Sequence, residues 1–112
     1  MNTALEQIGC RLYERRKQLR MTQDELAERA NVTAQTISTA ELGKKAMRAD
    51  TIIRVCTALD ISADYLLFGH VTPQDISLLS QKVSQLSPSQ YRHLENVIDS
   101  FVAIAAESHL EP

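Results

Sequence analysis

The stretch "MTQDELAERANVTAQTISTAELGKK", Met21–Lys45, carries two helix-start signals eleven residues apart. Thr22 and Glu25 have the S/T-x-x-E spacing of a capping box, in which a hydroxyl and a carboxylate satisfy backbone N–H groups that a helix start leaves open. Thr33 opens a second run, "TAQTISTAELG". Asn31 precedes it, and asparagine tolerates the left-handed conformation that ends helices. Each start also has a hydrophobic staple, Met21 with Leu26 and Val32 with Ile37. The sequence therefore predicts two short helices, about Gln23–Ala30 and Ala34–Leu42, held at a fixed angle by a tight turn. Gly43 stops the second as its left-handed cap.

Working outward, Leu5, Ile8, Leu12 and Leu19 recur at helical spacing, which predicts a first helix from about Thr3 to Arg20. Ile52, Ile53, Val55, Cys56 and Leu59 mark a fourth helix up to Asp60. Ser62 caps a fifth, "ADYLLFG", stapled by Ile61 and Leu66 and ended by Gly69. A second segment begins at "VTPQD", with Thr72 as cap, Pro73 at the first helical position and Asp75 three residues after the cap. Its helix carries Ile76, Leu79, Val83 and Leu86. "LSPSQY" repeats the device with Ser87, Pro88 and Gln90 before a last helix running to about Ala106. The apolar residues of that last helix cover an arc of roughly 160°, wider than the ~100° one core contact needs. The reading is two parts, residues 1–69 and 70–112, both helical.

A chain of 112 residues suits one modest core. Gly and Pro number three each, which favours helices with short connections over a β-rich fold. No apolar run reaches the eighteen or so residues of a membrane span, and Met1–Arg20 lacks the apolar stretch of a signal peptide. The expected setting is soluble and cytoplasmic. Cys10 and Cys56 have no second ligand at metal spacing and are read as reduced thiols, with a disulfide or redox switch as the alternative. His70, His93 and His109 are scattered, with no catalytic grouping, and there is no Gly-rich phosphate loop. No enzyme, metal, cofactor or small-molecule ligand is expected.

Net charge is −2, but its distribution is uneven. Residues 1–50 hold nine Lys/Arg against seven Asp/Glu, and residues 51–112 hold three against seven. "RLYERRKQLR" and "GKKAMR" supply eight of the nine. Binding to a polyanion follows the local patch rather than the total charge, although such runs are also ordinary solvated helix faces.

Taken in order, "LRMTQDELAERANVTAQTISTAELGKK" and "DTIIRVCTALDISADYLLFG" resemble the Cro and phage-repressor type helix-turn-helix family. The likeness covers about Ile8–Gly69, more than half of the chain. It rests on "TQDELA" in the second helix, Ile37 inside the third, Glu41-x-Gly43 at its end, and a closing "DYLL". The resemblance implies an all-α chain: a five-helix lambda-repressor-like DNA-binding domain, followed here by a two-helix C-terminal hairpin. It also implies sequence-specific binding of double-stranded DNA, usually by a dimeric repressor.

In that family the third helix enters the major groove. Its outward residues here are small or hydrogen-bonding, without an outward carboxylate to repel phosphate. The family pattern places Thr33, Ala34, Gln35 and Thr39 at base-contacting positions, and Ser38 shares their face. Gln35 is the foremost candidate, because a glutamine amide pairs bidentately with adenine, whereas Ala34 offers only a methyl contact. Gln23, Thr36, Lys44 and Lys45 match backbone-contacting positions, and Arg11 is a further phosphate candidate. Arg16 and Glu41 correspond to a buried ion pair between the first and third helices in close phage-repressor relatives.

Two departures stand out. Before the fourth helix the family's Pro-Ser is replaced by "MRADT", which leaves Arg48 at the cap, where it caps poorly; an alternative is that it faces the DNA edge. The family's Arg near the position of Thr39 is absent, which makes dimerisation more important for affinity. The expected dimer seam lies on the last helix, at Val97, Ile98, Phe101 and Ile104. The competing arrangement is a monomer in which the last two helices fold back onto the first and fifth. The competing function is a protein-interaction module in which DNA binding is secondary.

Overall fold

Thr3 opens α1 (Ala4–Gln18) with a complete capping box: its hydroxyl accepts from the Glu6 N–H, and the Glu6 carboxylate accepts from the Thr3 N–H. This computed structural model describes residues 3–110, with side chains through residue 106, so the His109 side chain lies outside the described residues. The remaining elements are α2 (Gln23–Ala30), α3 (Ala34–Glu41), α4 (Ala49–Leu59), α5 (Ala63–Phe68), α6 (Pro73–Val83) and α7 (Pro88–Leu110). Among the described residues every regular element is a helix. None of them is long and apolar enough to cross a membrane.

The caps follow the local chemistry. Thr22 and Glu25 exchange two hydrogen bonds of 3.0 and 3.1 Å at the start of α2. Thr33 and Ser62 accept from the N–H groups of Thr36 and Tyr65. Asn31 ends α2 in the left-handed region at φ 56°, and Gly43 and Gly69 follow α3 and α5 at φ 69° and 76°. Arg20 and Asp60 also take positive φ. Arg20 does so two residues past the end of α1, which stops the helix short of the expected Arg20. Asp60 does so as the cap of α4, tolerated because a short polar side chain can bond locally.

The core sits among α1 to α5. Leu12, Leu26, Ile37, Val55, Leu59 and Leu66 are fully buried, drawn from all five helices. Each such burial contributes about 1.5–3 kcal/mol. The packed pairs are α1 with α3 and α5, α2 with α3 and α4, and α4 with α5. Gly9 allows the α1–α3 approach: a Cβ there would lie 2.5 Å from the carbonyl oxygens of Ala40 and Glu41. The two backbones therefore meet without an intervening side chain, which fixes the depth of α3.

The chain divides into two compact units, Met1–Asp75 and Ile76–Pro112. The first extends beyond Gly69 because Asp75 binds back into it. One Asp75 carboxylate oxygen accepts from the Thr72 N–H at 2.8 Å, the Thr72 hydroxyl at 2.9 Å and the Ser62 hydroxyl at 3.1 Å. The second unit contains most of α6, a turn stabilised by the reciprocal bonds of Ser87 and Gln90, and α7. Its apolar stripes remain open: α6 buries no residue, and Phe101 is 74% exposed.

Candidate nucleic-acid interface

At 3.6 residues per turn the eight residues of α3 sort into two faces. Ile37 and Ala40 point into the core and are buried. Gln35 and Thr39 fall opposite them, and Thr36 lies between the faces. Glu41 is the one carboxylate on the helix, and it is turned inward to Arg16, so the outward face carries no anionic group.

That inward pair fixes the orientation of α3. Arg16 donates from Nε to Glu41 Oε2 at 2.7 Å and from a terminal nitrogen to Glu41 Oε1 at 3.0 Å. Its other terminal nitrogen donates to the Met21 carbonyl at 2.8 Å. One guanidinium thus joins α1, the turn before α2 and the end of α3. The side chains are 8% and 6% exposed, so the bidentate pair lies out of bulk water, where its hydrogen bonds are strongest. The Glu41 contact raises the Arg16 pKa, keeping it charged.

Gln23 joins this network by donating its amide to Glu41 Oε1 at 3.1 Å. Sequence reading assigned Gln23 to phosphate alone; one of its amide hydrogens is instead committed to the pair. The missed contact crosses 18 residues, and helix spacing gives no signal of it.

Thr33, Gln35, Thr36 and Thr39 line one open groove of about 430 Å³. Its other wall is the segment after α3 and the start of α4, including Lys45, Met47, Arg48 and Thr51. The Thr33 and Thr36 hydroxyls bond each other at 2.9 Å. Gln35 is exposed and has no hydrogen bond within the protein among the described residues. Arg48 ends its backbone in extended conformation without a side-chain cap and pairs with Asp50 at 3.5 Å. Met47, which packs on the core from the segment before α4, and Thr51, in the first turn of α4, also line the groove, and helix spacing gives no signal of either. Lys44 is exposed outside the groove lining, and its N–H donates to the Thr39 carbonyl at 3.2 Å.

Three further candidates stand outside the groove lining. Ala34 is half-buried and packs against the core instead of lining the groove, because its wheel position borders the face of Ile37. Ser38 is half-buried and also stands outside the groove lining. Arg11 is committed elsewhere: Nε donates to the Leu66 carbonyl at 2.9 Å and a terminal nitrogen to the Leu67 carbonyl at 3.1 Å. It satisfies open carbonyls at the end of α5, where a cation also complements the helix dipole. Arg15 does the same for α4 through the Leu59 carbonyl at 2.9 Å. Two members of the basic run in α1 are thus structural.

Val97, Ile98, Phe101 and Ile104 stand on α7 between 47% and 74% exposed. Cys10 is exposed, Cys56 is buried, and both are free; burial pushes the Cys56 thiol pKa up. No group of His, Cys and carboxylate residues able to hold a metal occurs among the described residues.

The arrangement can be set beside known proteins. The sequence profile of the helix-turn-helix family matches residues 12–66. The chain is 37% identical over 54 residues to the uncharacterized HTH-type transcriptional regulator YqaE of Bacillus subtilis (strain 168), an alignment covering 48% of this chain and 47% of that protein. It therefore spans about half the length of the curated relative it matches. Among solved structures it resembles the P22 c2 repressor in complex with synthetic operator 9T, with TM-score 0.55 and 32% identity over 56% of this chain and 96% of that one. It also resembles the restriction-modification controller protein C.AhdI from Aeromonas hydrophila, with TM-score 0.54 and 29% identity over 55% of this chain and 94% of that one.

Proposed function

This chain belongs to the helix-turn-helix family, and from that premise we propose that it is a sequence-specific DNA-binding transcriptional regulator, a repressor or autoregulator acting as a dimer on a palindromic operator in the cytoplasm. The observation that carries the reading is the outward face of α3. Gln35 and Thr39 stand there free of anionic neighbours, in a groove that Lys45 and Arg48 border. A helix of this width fits the major groove, and an exposed glutamine amide can pair with both adenine N6 and N7. The likeness to a repressor solved with its operator supports the same orientation. Lys45 and Arg48 then face the phosphates flanking the bases that α3 reads, and the inward Arg16–Glu41 pair holds the helix at a constant angle.

Dimerisation is part of the proposal. A single α3 with few cationic neighbours reads few base pairs, and two-fold symmetry doubles both the contacts and the specificity. The exposed apolar face of α7 at Val97, Ile98, Phe101 and Ile104 supplies the seam.

Titration of a DNA duplex recovered by selection, against a scrambled duplex, tests the assignment. Gln35→Ala weakens binding to the selected duplex by roughly 1–3 kcal/mol and leaves the scrambled one unchanged. In the same assay Lys45→Ala weakens both duplexes and lowers the salt slope by about one unit. Equal losses on both duplexes for Gln35→Ala would remove it from base reading.

A further inference from the structure

Among the described side chains of the second unit, residues 76–106, none is buried. α6 buries no residue, and every residue of α7 with described burial is exposed except the half-buried Leu94. Both helices nevertheless carry large apolar side chains. Ile76 and Leu79 on α6 are 59% and 56% exposed, and Phe101 and Ile104 on α7 are 74% and 63% exposed. A helix pair closed on itself would cover one stripe with the other; here both are open.

We propose that a second copy of this chain covers α6 and α7 together, giving a four-helix bundle of two α6 and two α7, and that the pair acquires its packing only on dimerisation. The inference rests on the dimeric reading above and adds α6 to a seam that reading places on α7 alone. The widths of the stripes argue for it. Ile76, Leu79 and Val83 cover an arc of roughly 60° on α6, enough for one neighbour, while Leu78, about 100° to the side of Leu79, is already half-buried. The apolar arc of α7 spans roughly 160°, enough for two. Two helices of each kind satisfy both requirements, with each α7 touching its partner and an α6.

The available area points the same way. Nine large apolar side chains between Ile76 and Ile104 are exposed, six of them on α7. At roughly 100 Å² apiece they offer on the order of 900 Å² per chain, against the ~800 Å² each partner contributes to a stable interface. The six on α7 fall short of that alone. Charge placement admits a second copy, because Arg92 and Asp99 lie on the side of α7 opposite its apolar arc and Glu95 lies just outside its edge.

Sedimentation of the full chain at tens of micromolar tests this with three variants. Leu79→Glu on α6 and Ile104→Glu on α7 should each give a monomer. Gln81→Glu, an exposed position on the opposite side of α6, should remain a dimer. In both monomeric variants amide exchange over residues 76–104 should be fast, while exchange over α1 to α5 stays slow, showing that the first unit is folded. A Leu79→Glu dimer beside an Ile104→Glu monomer would overturn the four-helix seam and leave the α7 dimer standing. Slow exchange over residues 76–104 in the monomeric variants would equally overturn it, since the pair would then pack without a second copy. A monomeric wild type would overturn both this inference and the dimeric reading.

Discussion

Among single residues, Glu41 does the most to set the orientation of α3. It accepts two hydrogen bonds from Arg16 and one from Gln23, gathering α1, α2 and α3 at one carboxylate. Removing one partner of a buried ion pair leaves the other charge without compensation, at a cost of about 3–5 kcal/mol. Glu41→Ala should lower the urea midpoint of the first unit accordingly; a loss below 1 kcal/mol would show that Arg16 finds another partner or reaches water. The sequence made this pair legible only through family resemblance. The tasks of Arg11 and Arg15 were hidden, because the carbonyls they cap lie 55 and 44 residues away. Ala34 illustrates a different limit. A small residue at the border of two helix faces suits either one, and only the packed position of α3 decides.

Helix boundaries were the most readable level. Thr22 with Glu25, Thr72 with Asp75 and Ser87 with Gln90 each form the reciprocal bonds their three-residue spacing implies. These contacts are local, so the sequence holds both partners within one turn. The packing of α6 and α7 was less readable, because an apolar stripe states that a face is to be covered without stating by what. The caps also create an acid response. Hydrogen bonds from Thr3 and Thr22, backbone first, hold the Glu6 and Glu25 carboxylates below their ordinary pKa of 4.5. Thr72 does the same for Asp75, whose ordinary value is 3.8. A folded-state pKa below the unfolded one contributes stability that is fully present above the unfolded value and is lost as pH falls through the folded one. The melting temperature should therefore drop as pH is lowered from 6 to about 3. Glu25→Gln keeps an acceptor for the Thr22 N–H but cannot titrate, so its drop should be smaller. Equal drops in the two proteins would remove Glu25 from the acid response.

At the scale of the whole molecule, the first unit presents α3 on a packed five-helix core, and the described residues of the second unit leave large apolar side chains exposed. The overall charge of −2 concealed the basic side chains beside α3, since nine of the twelve Lys/Arg precede residue 51 while the acidic residues number seven on each side of that point. Specific DNA reading by α3 is the claim on which the dimer and its seam depend for their purpose. Its most direct measurement is selection of bound duplexes from a random pool by the full chain. The account predicts one enriched sequence with two-fold symmetry and half-site centres about one helical turn, 10–10.5 base pairs, or a multiple of it, apart. A pool that returns no common sequence would contradict it.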